Sequence, residues 1–147
     1  GIALSSGGRV TPRWYPHLTI ALRDDDADIL KQIQERFGGT IVRLHGKAAT
    51  NTNPSVRWRI ADIAGCERMV RHFREFPLLA KKQRDFGLWA LAVEHMAVNR
   101  GKRGHRAASV DHAYLTTLSE AMKQVRQYES SDVAVPENPQ LRLVVGG

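Results

Sequence analysis

The sequence predicts an α+β domain in which helices cover the apolar side of an antiparallel sheet. Three observations carry that expectation. Segments 16–23, 40–47 and 55–60 alternate apolar residues with polar or basic ones, the two-residue period of half-buried strands. The stretches between and after them repeat apolar residues every three or four positions, as helices packed on one face do. A length of 147 residues with 42% hydrophobic content suits one domain that buries its own core.

Gly1-Ile2-Ala3-Leu4 fits a first strand, with Ser5-Ser6-Gly7-Gly8 as the following turn. In Pro16-His17-Leu18-Thr19-Ile20-Ala21-Leu22-Arg23, Leu18, Ile20 and Leu22 share one face, and His17, Thr19, Ala21 and Arg23 the other. Asp24-Asp25-Asp26 then opens a helix, where short acidic side chains suit free N–H groups and the positive end of the helix dipole. Ile29, Leu30, Ile33 and Phe37 form its stripe, and Gly38-Gly39 ends it. Thr40–Lys47 alternates again. There, Val42 and Leu44 are expected inside, with Arg43, His45 and Lys47 outside. A polar loop leads to Ser55–Ile60, where Val56, Trp58 and Ile60 oppose Arg57 and Arg59.

Two helices follow. Ile63, Cys66, Met69, Val70 and Phe73 mark the first, while Pro77 is expected to begin the second, with Phe86, Trp89 and Val93 inside. Residues 99–109 read as a basic linker, 110–129 as a last helix with Tyr114, Leu115, Leu118, Met122 and Val125 inward, and 130–147 as a poorly ordered tail.

The chain carries 22 Lys and Arg against 15 Asp and Glu, and the excess is banded. Residues 1–23 and 39–61 contain bases and no acid, and 99–107 form a third basic stretch. Banding of this kind suits a polyanion partner better than a merely solvated surface does. No apolar run approaches the roughly 20 residues of a membrane span. Nor does a basic stretch followed by an apolar core open the chain, so a cytoplasmic, nucleoid-associated protein is expected. One Cys excludes a disulfide framework and a multi-cysteine zinc site, and the six His lack ligand spacing.

Candidate function follows from the strand faces. Arg43, His45, Lys47, Arg57 and Arg59 are expected on one sheet surface, joined by Arg13, His17, Thr19 and Arg23 from the N-terminal strands. A β-ribbon fits the DNA major groove, where Arg and Lys reach guanine O6 and N7 while other cations hold phosphates. The alternative is an ordinary solvated strand face. Lys81 and Lys82 are either phosphate-facing or a solvated pair.

From Pro16 to about Val93 the chain resembles the LAGLIDADG homing endonuclease family. The resemblance rests on Pro16–Ile20, Asp25, Ile29-Leu30, Phe37-Gly38-Gly39, Trp58-Arg59-Ile60, and Phe76-Pro77-Leu78 with Lys81-Lys82, Asp85-Phe86 and Trp89. It implies an α-β-β-α-β-β-α-α core with a saddle-shaped sheet gripping duplex DNA. The motif helix that opens this fold has no counterpart here, so residues 1–98 are expected to form the domain without its first helix. The simplest explanation is that the chain begins just downstream of the motif. The resemblance further implies a Mg²⁺-dependent DNA endonuclease, with the metal held by an acid ahead of the first strand that no residue here matches. It implies Lys82, or Lys81, as the basic residue lining the active site, which stabilises charge on the scissile phosphate or positions the attacking water, and homodimerisation through the motif helix. A non-cleaving DNA-binding regulator and an RNA-binding maturase-like module remain open on the same fold.

Overall fold

The computed structural model describes residues 1–8, 10, 12–46, 53–99 and 110–127. The order is β1 (Ile2–Gly7), β2 (Arg13–Arg23), a 3-10 turn (Asp24–Asp26), α1 (Ala27–Phe37), β3 (Thr40–Leu44), β4 (Ser55–Ile60), α2 (Ile63–Glu75), α3 (Lys81–Val98) and α4 (His112–Gln127). This is the predicted succession. The expected linker lies outside the described residues except for Asn99, as does the whole of the expected tail.

The four strands form one antiparallel sheet in the order β1-β2-β4-β3. Helices cover one side of it. Trp58 and Trp89 are completely buried, as are Leu30, Val56, Ile60, Val93, Leu115 and Leu118. Each such large side chain contributes about 1.5–3 kcal/mol through removal from water. Cys66 is part of this core, and burial pushes its thiol up to about 12, as expected of a packing residue rather than a nucleophile.

Several local expectations change. β1 continues through Ser5, Ser6 and Gly7, which pair with Tyr15, Trp14 and Arg13, so the chain turns only after Gly7. Trp14, whose place beside Tyr15 in the N-terminal hairpin suggests exposure, is buried and donates its Nε1–H to His112 Nδ1 at 3.0 Å. The aspartates make no side-chain cap bond; they form a 3-10 turn, and Asp24 instead accepts from Arg43. Ile29 on the expected inner stripe is 51% exposed, because α1 turns Ala27 and Leu30 to the sheet. α3 begins at Lys81, not Pro77. The residue before it, Ala80, has φ +50°, the single positive φ outside glycine among the described residues, and this turn interrupts the helix that Pro77 was expected to start.

Gly38 and Gly39 set the passage from α1 to β3. Gly39 has φ +89°, and a Cβ there would lie 2.6 Å from the Arg59 carbonyl oxygen and 2.8 Å from Trp58 Nε1. The bare backbone lets β3 close against β4, while Trp58 Nε1–H donates to the Gly38 carbonyl at 2.8 Å.

α4 docks where the sequence placed it, with Tyr114, Leu115, Leu118, Met122 and Val125 buried. Its start is held by His95, whose Nε2 accepts the Asp111 backbone N–H at 2.9 Å, and Asp111 in turn caps the Tyr114 N–H at 2.9 Å. Burial lowers the basicity of His95, with Asp111 opposing, which keeps its accepting nitrogen free of a proton.

Candidate nucleic-acid interface

Residues paired across an antiparallel ladder point to the same side, so register decides which side chains share a face. On the side away from the helices, β2 presents Arg13, Tyr15, His17, Thr19, Ala21 and Arg23. β4 places Arg59 opposite Thr19, Arg57 opposite Ala21 and Ser55 opposite Arg23. β3 continues these rows with Thr40 beside Arg59, Val42 beside Arg57 and Leu44 beside Ser55. Arg13, Tyr15, Arg23, Val42, Arg57 and Arg59 are exposed, and His17 and Thr19 half-buried.

The register overturns one part of the expected face. Arg43 pairs with Val56, so it points to the helix side. Lying at the end of the short edge strand, it reaches past the core to Asp24, with Nη1 2.9 Å from Oδ1. Val42 and Leu44, expected inside, belong to the open face. Ile41 takes the inner position opposite Trp58 and packs against the core. The reason lies in the run Ile41-Val42-Arg43-Leu44, whose apolar residues satisfy either phase of a strand; contact with Trp58 selects Ile41. His45 is exposed beyond the end of β3, and Lys47 lies outside the described residues. The structure thus brings together Arg13, His17, Thr19, Arg23, Arg57 and Arg59, and sets Arg43 apart.

The open face is cationic but not uniformly so. Arg57 and Arg59 stand two residues apart on β4, about 6.8 Å along an extended strand. That is about two base-pair steps of B-DNA at about 3.4 Å each. Val42 and Ala21 flank Arg57 with methyl groups, the chemistry that meets a thymine 5-methyl. His17 Nδ1 lies 3.3 Å from the Tyr15 carbonyl and donates to it, which leaves Nε2 as an acceptor on the face. Burial holds the His17 imidazolium below its ordinary range; the Tyr15 hydrogen bond opposes that shift and Arg59 adds to it. Arg23 approaches Asp25 at 3.8 Å, a loose pair with both side chains mostly in solvent.

Lys82 lies in the first turn of α3. Its Nζ is 3.7 Å from Asp85 Oδ2 and its side chain is mostly exposed. Arg126 of α4 shares the same carboxylate, and its Nη2 donates to the Ile2 carbonyl. The start of β1 therefore lies beside Lys82. Asp85 and Arg126 went unremarked as a pair in the sequence, since 41 residues separate them; a lone acid on the buried side of a predicted helix was the available signal.

Among the described residues no group of three or more His, Cys, Asp or Glu side chains is placed to hold a metal ion. The most enclosed carboxylate, Asp85, is engaged by two cations. These residues do not fit a divalent-metal centre. No helix among them is long and apolar enough to cross a membrane.

Comparison with known proteins gives this geometry a context. The fold matches the LAGLIDADG meganuclease I-CpaMI bound to uncleaved DNA with a TM-score of 0.62 and 22% identity, over 99% of this chain and 43% of that one. It matches I-SmaMI, bound to an uncleaved DNA target in the presence of calcium ions, with a TM-score of 0.64 and 12% identity, over 99% of this chain and 44% of that one. The chain thus spans less than half the length of these two proteins. The homing endonuclease I-TnaI is closer in size, with a TM-score of 0.64 and 16% identity over 86% of this chain and 87% of its own. A search of curated proteins finds no match. The family model for LAGLIDADG endonuclease matches residues 4–93, more than half of the sequence, and the chain belongs to that family.

Proposed function

We propose that this chain binds duplex DNA through the open face of its sheet, as a subunit of a site-specific DNA endonuclease. The observation that carries this proposal is the grouping of Arg13, His17, Thr19, Arg23, Arg57 and Arg59 on one exposed surface by strand register. Arginines at alternate positions of β4 reach guanine edges on alternate base pairs, and the outer cations hold phosphates. Hydrolysis of the phosphodiester is assigned to the vicinity of Lys82, where an ammonium offsets charge growing on the scissile phosphate. Mg²⁺ is the metal proposed for that step; no acid among the described residues is assigned as its ligand. The family motif places such an acid just ahead of the first strand, and the start of β1 lies beside Lys82. Pairing of two copies about that motif would supply two such faces to a pseudo-palindromic site.

A second proposal is a DNA-binding protein of this fold that does not cut. What favours it is that Asp85, the buried carboxylate beside Lys82, is engaged by Arg126 rather than open to a metal ion.

One experiment separates these proposals. Selection from a randomised duplex pool yields the preferred site, and titration of that duplex against salt measures the number of phosphate contacts. Binding is expected to weaken with salt at a slope of about −0.9 per phosphate neutralised. Failure to enrich any sequence, or binding insensitive to salt, refutes the interface. Mg²⁺ is then added to the enriched duplex with a version of the chain that carries the family's motif helix: strand scission supports the endonuclease, and intact DNA the non-cleaving binder.

A further inference from the structure

Asp85 is 3% exposed, yet it faces charged groups from two helices. Arg126 Nε of α4 lies 3.3 Å from Oδ1 and 3.4 Å from Oδ2. Lys82 Nζ, one turn away on α3, stays at 3.7 Å, beyond ordinary hydrogen-bond distance. A second guanidinium nitrogen of Arg126 donates to the Ile2 carbonyl, so one rigid fork ties α4 to both α3 and β1.

The two cations are not equivalent. A buried carboxylate needs a counter-charge, and Arg126 supplies it through hydrogen bonds to both oxygens. Lys82 has a flexible stem and a 61% exposed side chain. It is therefore spared the task of neutralising Asp85, and its ammonium stays available to solvent. Without Arg126, the buried carboxylate would draw Lys82 inward as a counter-ion. α4 lies outside residues 4–93, the segment that carries the family pattern.

We infer that Arg126 is a positioning residue for Lys82: by neutralising Asp85 it holds the Lys82 ammonium outward, free to meet a phosphate. The phosphate in this statement rests on the proposed DNA function; the availability of Lys82 does not.

The test is reductive dimethylation of the whole chain with formaldehyde and borohydride. Fragmentation spectra separate Lys82 from Lys81, and Lys31 serves as the reference. Arg126→Met is expected to slow Lys82 labelling about two- to five-fold, the range of a partly exposed ion pair. The double variant Asp85→Asn/Arg126→Met removes the carboxylate that captures Lys82 and restores the rate to the wild-type level or above. A merely structural role predicts no such rescue. Asp85→Asn alone, nearly isosteric, is expected to leave Lys82 labelling within about two-fold of the wild type, because Arg126 already neutralises the carboxylate, and keeps the test decisive where Arg126→Met does not fold. Unchanged Lys82 labelling in Arg126→Met overturns the inference, and so does a several-fold rise in Asp85→Asn or a double variant as slow as Arg126→Met. Adding the selected duplex to the wild type is expected to protect Lys82. Labelling that duplex leaves untouched refutes the phosphate contact while the positioning result stands.

Discussion

β3 and β4 are hydrogen-bonded neighbours that both mix apolar and basic residues, yet they deliver different chemistry. On β4, Val56, Trp58 and Ile60 are all fully buried, and Arg57 and Arg59 therefore stand on the open face without ambiguity. On β3, Ile41 goes inward while Val42 and Leu44 go outward, and the one arginine, Arg43, leaves the face to pair with Asp24. A central strand with three large inner residues has its phase fixed by burial. An edge strand of five residues with apolar side chains in both phases takes its orientation from its neighbour. The open face consequently carries fewer cations than the pattern suggested, and it gains an apolar patch beside Arg57.

The contrast can be broken at its origin. Gly39→Ala places a Cβ against the Arg59 carbonyl at a backbone φ of +89°, and should destabilise the domain by about 2–3 kcal/mol in urea unfolding. A smaller loss, under about 0.5 kcal/mol, would mean that β3 does not need this close approach.

The next largest effect concerns binding. Replacing Arg57 and Arg59 with Ala should weaken duplex binding and relax the preference for guanine at two positions, by about 1–3 kcal/mol each, whereas Arg43→Ala should leave affinity and preference unchanged. An equal effect of Arg43→Ala would place it on the face after all. In stability, loss of the exposed Arg43–Asp24 pair should cost under about 1 kcal/mol.

His17 sharpens the comparison through pH. Burial lowers its folded pKa below the ordinary 6.5, so it is neutral on the face at pH 7. Its lowered value means that stability from the neutral ring is present above that ordinary value and is lost as pH falls through the folded one. Protonation adds a cation to the interface over the same window. Duplex affinity should therefore rise as pH drops below 6.5, and His17→Asn should abolish that rise. A pH profile that His17→Asn does not alter refutes a place for His17 at the DNA.

Val42→Ser carries the smallest effect. Removing its methyl groups should reduce preference for thymine at one position by about 1 kcal/mol, near five-fold, and leave the salt slope intact. Equal selection profiles for the two proteins would show that Val42 reads no base.

Much of this was legible in the residues. Strand and helix order, the inner stripe of α4 and the inert Cys66 all follow from local periodicity and side-chain type. Of the candidate site, Arg57 and Arg59 were legible because Trp58 between them admits one burial choice. Arg43 was not, since its neighbours satisfy either phase. The start of α3 was missed because proline marks a favourable first helical position, and the turn at Ala80 leaves no trace in composition.

By itself, then, the sequence determined the alternation within each strand, the buried stripe of each helix and the family. These are properties of the two-residue and 3.6-residue periods, which are set by backbone geometry within a few residues. Tertiary structure alone decided the phase of β3 against β4 and the meeting of Lys82, Asp85 and Arg126. Phase depends on a hydrogen-bond register set by the close approach of Gly39 to β4. The Asp85–Arg126 contact depends on two helices 41 residues apart in sequence coming together over one core. Neither is encoded in any local run of residues.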